Sequence, residues 1–222
     1  MPYLTVYVAP AGTSIEHEPN TGLPGTSLAG HVWYSIAKDD GLAGSPFGFA
    51  PIQQGDWSGA GTVYKNDTGN YGLKQDSPTV WSKTIYITQD QYDKLLAFGS
   101  FPEEFGFNMY YVAASNNCID FVNAALTYAF GIDNFHFPLT QAWPTEDISH
   151  ITAVLDQVAD QNMQNLLSPE NVTLTDPITN YDGSQTRTML NQDGQRVAEV
   201  QSYSLIQTAQ KSNSFMTRLP RS

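Results

Sequence analysis

The sequence predicts an α+β chain, on three observations. Strand-length runs rich in β-branched and aromatic residues recur at YLTVYVA (3–9), GHVWYSIAK (30–38) and VWSKTIYI (80–87). Turn chemistry, including an Asp-Gly pair at Asp40-Gly41, joins the second of these to a return strand. Two stretches, 88–100 and 118–130, instead carry helical apolar spacing behind polar capping residues.

Taken in order, residues 3–9 form the first strand, and the Gly, Pro, Ser and Thr-rich residues 10–29 read as a loop. Residues 30–38 alternate, with His31, Trp33 and Ser35 on one side and Val32, Tyr34 and Ile36 on the other. DDGLAG (39–44) turns the chain and SPFGFAPI (45–52) returns it. Residues 53–80 are polar and Gly-rich, with a short strand at GTVYK (61–65). After the strand at 80–87, Thr88 caps a helix whose face is Tyr92, Leu95, Leu96 and Phe98.

The segment NMYYVAASNNCIDFVNAALTYAFGI (108–132) is the most informative. Tyr110 and Tyr111 lead into Ser115-Asn116-Asn117. An apolar helical pattern then starts at Cys118 and runs through Phe121, Val122, Ala125, Leu126 and Ala129. Asn117 is an N-cap, Asp120 completes a capping-box-like pair, and Gly131 stops the helix. A Phe/Pro/Trp loop leads to a helix over 145–167. Residues 168–184 are turn-rich, and 186–204 read as a hairpin around Asp193-Gly194. The organisation expected is a core over 1–140 and a helix-plus-hairpin extension over 141–222, packed on that core.

Composition bounds the function. The chain has 222 residues, 41% apolar and 14% charged, enough to bury a core without disulfide or metal support. Its single cysteine excludes an internal disulfide and a thiolate metal cluster, and the histidines show no ligand spacing, so no metal and no cofactor are expected. No apolar run approaches ~18 residues, so no stable membrane insertion is expected. The N-terminus has no basic residue ahead of its short apolar stretch and does not read as a secretory signal. A net charge of −12 disfavours nucleic acid as a partner. The charge is uneven: residues 95–186 hold no Lys or Arg but eleven Asp or Glu. That stretch reads as a solvated acidic surface, or as a field around a site for neutral or amine-bearing substrates.

Cys118 lies inside that stretch, in the first turn of its helix. Unpaired amides there favour a thiolate and can hold a developing oxyanion. The surrounding acids oppose the thiolate, so an imidazolium neighbour would be needed to keep it ionised. The residues alone leave two readings open, a nucleophile and a packed thiol. Of four histidines, His17 sits between Glu16 and Glu18 and reads as solvated, His136 as packed between Phe135 and Phe137, and His150 as a helix-surface residue. His31 begins a strand, where a ring is held rigidly enough to serve as a general base; a structural histidine is the alternative.

Together, GHVWYSIAKDDG with SPFGFAPI (30–52), WSKTIYIT with QYDKLL (81–96) and YYVAASNNCIDFVNAAL (110–126) resemble the circularly permuted, papain-like NlpC-type cysteine hydrolases, in which the histidine strand precedes the nucleophile helix. Asn117-Cys118-Ile119-Asp120-Phe121 is also similar to the Asn-Cys-Glu-His-Phe motif of the lecithin retinol acyltransferase-like branch. The match spans residues 28–128. It implies a small antiparallel sheet packed on the Cys-bearing helix, with Cys118 as nucleophile and His31 as base. The family's third polar residue orients the imidazole from the next strand; a hairpin centred near residues 41–42 puts position 31 opposite about 52, which makes it Gln53, with Ser45 or Gln54 as alternatives. Asn117 or the Cys118 backbone N–H would serve the oxyanion.

The resemblance further implies an amide hydrolase acting on peptidoglycan stem peptides. It would be an antibacterial effector of a type VI secretion apparatus, reaching the target-cell periplasm without a signal peptide. Its partners would be a secretion-apparatus component and an immunity protein. Two other readings remain: a lipid acyltransferase or thioesterase, disfavoured by the acidic balance and the lack of a basic amphipathic helix, and a non-catalytic binding module.

Overall fold

A computed structural model describes residues 1–17, 24–38, 44–53, 55–131, 143–166, 168, 172–181, 184–191, 194 and 196–202. The chain forms two compact units, Met1–Asn162 and Met163–Ser222.

The first unit is built on a six-stranded sheet. Its strands are β1 (Tyr3–Ala9), β4 (His31–Ala37), β5 (Ser45–Pro51), β6 (Ser58–Tyr64), β7 (Trp81–Tyr86) and β8 (Tyr110–Val112), in the spatial order β7-β1-β4-β5-β6-β8. Every pairing is antiparallel. A separate two-stranded ladder, β2 (Ser14–Ile15) with β3 (Gly25–Thr26), lies within the stretch read as loop. The class is therefore α+β, as the alternating runs predict.

The period-2 pattern of β4 sorts its side chains onto two faces. Val32, Tyr34 and Ile36 join the main core, while Trp33 stacks on Tyr7 with ring centroids 5.0 Å apart. Burying these apolar side chains is the main stabilising term for the sheet.

Two helices cover the core face. α1 (Gln89–Ser100) starts at Thr88 with a full capping box: Thr88 accepts from the Gln91 N–H, and the Gln91 side chain accepts from the Thr88 N–H. Tyr34 fastens α1 to β4 by donating its hydroxyl to Leu95 O at 2.9 Å. α2 (Cys118–Phe130) packs on β4 and β5 and ends at Gly131 with φ 66°, a left-handed C-cap. Phe121 is the hub of this packing, with ring centroids 5.5 Å from Phe98, 5.9 Å from Phe49 and 6.0 Å from Tyr34.

A third helix, α3 (Ile148–Leu166), follows a 3-10 turn over Pro144–Asp147. Its Ile151, Leu155 and Val158 belong to the same core. That is why the first unit runs to Asn162 and not to residue 140: most of the expected extension helix is core. The second unit holds β9 (Val172–Leu174), β10 (Ile178–Thr179), β11 (Gln185–Asn191) and β12 (Arg196–Ser202) in one sheet, the last two forming the expected hairpin. The tips of both expected Asp-Gly turns, including Gly41 and Asp193, lie outside the described residues, as do His136 and Gln54.

Asp147 is a local cost in this core. It is buried, and among the described residues neither carboxylate oxygen has a hydrogen-bond partner. Burial, reinforced by the neighbouring Glu146, raises its pKa from 3.8 to about 6. An acid raised in the folded state destabilises that state once ionised. The penalty is absent below pH 4 and complete above about pH 6. Asp147→Asn is expected to raise the melting temperature by several degrees at pH 7.5, with the gain shrinking between pH 6 and pH 4. Thermal scans across that range check it.

Candidate active site

The N-terminus of α2 is organised by Asn117. Its side-chain oxygen accepts from the Ile119 N–H at 2.7 Å and the Asp120 N–H at 3.3 Å, while the Asp120 carboxylate accepts from the Asn117 N–H at 3.0 Å. The Asn117 carbonyl takes the Phe121 N–H, and its Nδ2 donates to Ala113 O at 2.9 Å. Asn117 is thus bound into the cap and the loop before it, and the structure does not present its side chain as the oxyanion donor. Cys118 occupies the first helical position, where helix geometry leaves its N–H without an intrahelical acceptor. Of the two donors that sequence offered, the Cys118 amide is the one the cap does not use.

His31 is the first residue of β4 and pairs with Ala9 of β1. Both His31 and Cys118 are buried, at 4% and 7% exposure, both line the same cleft, and the Cys118 sulfur is among the groups that raise the pKa of the ring. They are 87 positions apart in the chain, and the sheet-on-helix packing brings them together. The ring's Nε2 lies 3.0 Å from Asp67 Oδ2, so Nδ1 is the nitrogen that the carboxylate does not engage. The ring also packs against two aromatics, with centroids 4.9 Å from Tyr71 and 5.6 Å from Trp33.

Asp67 is the residue that sequence reasoning missed. The group behind the imidazole is not Gln53, which is exposed, nor Ser45, which lies exposed at the start of β5. The expected hairpin centre placed position 31 opposite about 52. The observed register, Tyr34 with Phe47, carries position 31 toward position 50 instead. The orienting carboxylate comes from the 3-10 turn Asp67–Gly69 in the connection after β6. Trp33 Nε1 donates to Thr68 Oγ1 at 3.1 Å, tying that turn to β4. Asn70 holds its far end by a reciprocal pair with the His17 backbone, at 2.8 and 3.1 Å. The one available signal was Asn66-Asp67-Thr68-Gly69, a turn-forming run in a polar connection; nothing in it showed that Asp67 is buried.

The electrostatics follow from this contact. Burial pulls the His31 ring toward its neutral form. The Asp67 charge, its hydrogen bond and the Cys118 sulfur together outweigh burial, and the pKa rises from 6.5 to about 10. His31 therefore carries a proton at neutral pH. The neighbouring Tyr71 phenol is pushed well up, by burial first and by Asp67 next.

Gly48 on β5 makes the pairing sterically feasible. A Cβ there would collide with the Asp67 carboxylate and lie 2.7 Å from His31 Nε2. Gly48→Ala is expected to separate the pair while the sheet still forms. The rate of any reaction that needs the pair should fall by about 100-fold, as misplacing a reacting group by roughly 1 Å does. Steady-state kinetics, with circular dichroism as the fold control, checks it.

The pair and the sulfur open onto a cleft of about 340 Å³ lined by His31, Asp67, Tyr71, Tyr111, Trp57 and Cys118 among others. Of the other described histidines, His17 is exposed and His150 sits on α3. Among the described residues no three His, Cys, Asp or Glu side chains gather in metal-binding geometry, and no helix is long and apolar enough to cross a membrane. Compared with known proteins, the chain matches no family model, no curated protein and no solved structure.

Proposed function

We propose that the chain is a cysteine-dependent amide hydrolase in which Cys118 is the nucleophile, His31 the proton carrier and Asp67 the residue that orients and charges the ring. The observation that carries this reading is Cys118 lining one cleft with the buried His31–Asp67 pair. Its parts are a sulfur at a helix N-terminus, an imidazole within its reach and a carboxylate behind the imidazole.

The reaction follows from those positions. His31 holds the thiol proton, and the Cys118 sulfur attacks the amide carbon, forming an S–C bond and placing the carbonyl electron pair on oxygen. The Cys118 N–H is the donor nearest to that oxygen by position. Collapse breaks the C–N bond, and the His31 proton leaves with the amine. Water then attacks the thioester, returning a proton to His31 and releasing a carboxylic acid.

The resemblance of residues 28–128 to the NlpC-type hydrolases supports peptidoglycan stem peptides as substrate. It likewise supports a role as a secreted antibacterial effector acting in a target-cell periplasm, with a secretion component and an immunity protein as partners. Digestion of purified peptidoglycan, read by mass spectrometry of released fragments, tests the substrate. Fragments bearing new amine and carboxyl ends, lost in Cys118→Ala, are expected. Equal fragment yield from Cys118→Ala overturns the assignment.

A further inference from the structure

The walls around the sulfur are chemically one-sided. Among the described residues no Lys or Arg lines the cleft, and the acids that line it are Asp56 and Asp67. Two large apolar side chains at the cleft, Leu28 and Trp57, are each 76% exposed. Leaving that much apolar surface in water forgoes the burial that stabilises the rest of the fold. Neither residue sits on a loose end of backbone. Leu28 follows Ser27, whose N–H and C=O bond to Thr13 O at 2.9 Å and Gly12 N at 2.8 Å. The Trp57 carbonyl accepts from the Ala113 N–H at 2.9 Å, in the loop that leads to Cys118. The backbone that carries each apolar group is therefore held in place on the cleft that Cys118 also lines.

We infer that this cleft is a substrate subsite for an uncharged, apolar group carried next to the reacting carbonyl, gripped by Leu28 and Trp57, and that it discriminates against a carboxylate at that position. The inference rests on the nucleophile reading above and adds the substrate class. A carboxylate in the cleft would meet two acids, and the one cation among the described lining residues, the His31 imidazolium, is already engaged by Asp67, so the carboxylate would be desolvated without a partner of its own. An aliphatic or aromatic group would cover the exposed faces of Leu28 and Trp57. Among stem-peptide bonds this favours one flanked by alanine over one flanked by a free carboxylate.

Cys118 is the only cysteine, so its alkylation reports the site directly. The test compares N-hexyl iodoacetamide with N-(5-carboxypentyl) iodoacetamide, each rate divided by that of free glutathione, followed by intact mass. The hexyl reagent is expected to react at least about 10-fold faster, the effect of burying roughly two methylenes. Trp57→Ala and Leu28→Ala, both at exposed side chains, should shrink that ratio toward one. A ratio near one in the native protein, or one unchanged in both variants, overturns the subsite: the latter result would reflect the general acidity of the chain. Unsubstituted iodoacetamide separates the two levels. If it labels Cys118 faster than glutathione and the ratio is one, the subsite fails and the nucleophile stands. If no reagent labels Cys118 in the folded protein, the nucleophile reading falls and the subsite with it.

Discussion

His31→Ala is expected to slow amide cleavage by at least about 10⁴-fold, since it removes both the acceptor of the thiol proton and the donor to the leaving amine. The same ring sets the pH range of the native protein. With its pKa raised to about 10, cleavage should hold through neutral pH and decline on an alkaline limb near pH 10, where the imidazolium is lost. Folding stability shares this dependence. A histidine raised in the folded state contributes stability that is fully present below pH 6.5 and lost as pH climbs through about 10. The alanine variant should show neither the kinetic limb nor that part of the stability profile. Rate profiles and denaturant midpoints from pH 6 to pH 10.5 measure both. A native protein with its alkaline limb near pH 6.5 would contradict the ion-paired ring.

Local chemistry made the elements readable. YLTVYVA (3–9) is β1 residue for residue, and the caps Thr88 and Asn117, with Gly131 at the far end, are where short-range hydrogen bonding requires them. These features depend on neighbours within four positions, which a sequence displays. The strand β8 was less visible, because three residues ahead of a polar turn carry too little periodicity to separate a strand from a lead-in. The ladder β2–β3, of two residues each, left no pattern at all.

The site divides the same way. Cys118 was marked by its cap and His31 by its place at the head of an alternating strand. Their meeting depends on α2 packing over β4, which the residues alone did not state and the resemblance supplied as an expectation. Asp67 was hidden because its role is non-local. An Asn-Asp-Thr-Gly turn has the same composition whether its acid faces water or a ring 36 positions upstream. What turns it inward is Trp33 holding Thr68, Asn70 holding His17, and the missing side chain at Gly48. Gln53 was inferred from a hairpin register, and a small shift in the turn redirected the strand's partner positions.

Asp67→Asn is the sharper test of how the site is charged. The amide keeps the shape of the carboxylate and its hydrogen-bonding capacity but removes the charge that opposes burial of the imidazolium. In the native protein burial is the largest single influence on the ring, and it acts downward. Without the carboxylate, burial outweighs what is left of the upward influences and the His31 pKa should fall steeply from about 10. At pH 7 the ring would then be neutral. It could no longer hold the thiol proton or deliver it to the amine, and the amide could fix the wrong tautomer. Cleavage at pH 7 should drop by about 10⁴-fold, a loss of the size found when a triad carboxylate is neutralised in place. Alkylation of Cys118 by iodoacetamide at pH 7 should slow with it. Asp67→Glu should restore part of the rate, since the charge returns at a displaced position. A purely structural carboxylate predicts a different result: Asp67→Asn would lower the melting temperature, but in the protein that remained folded the pH profile of alkylation would keep its native shape.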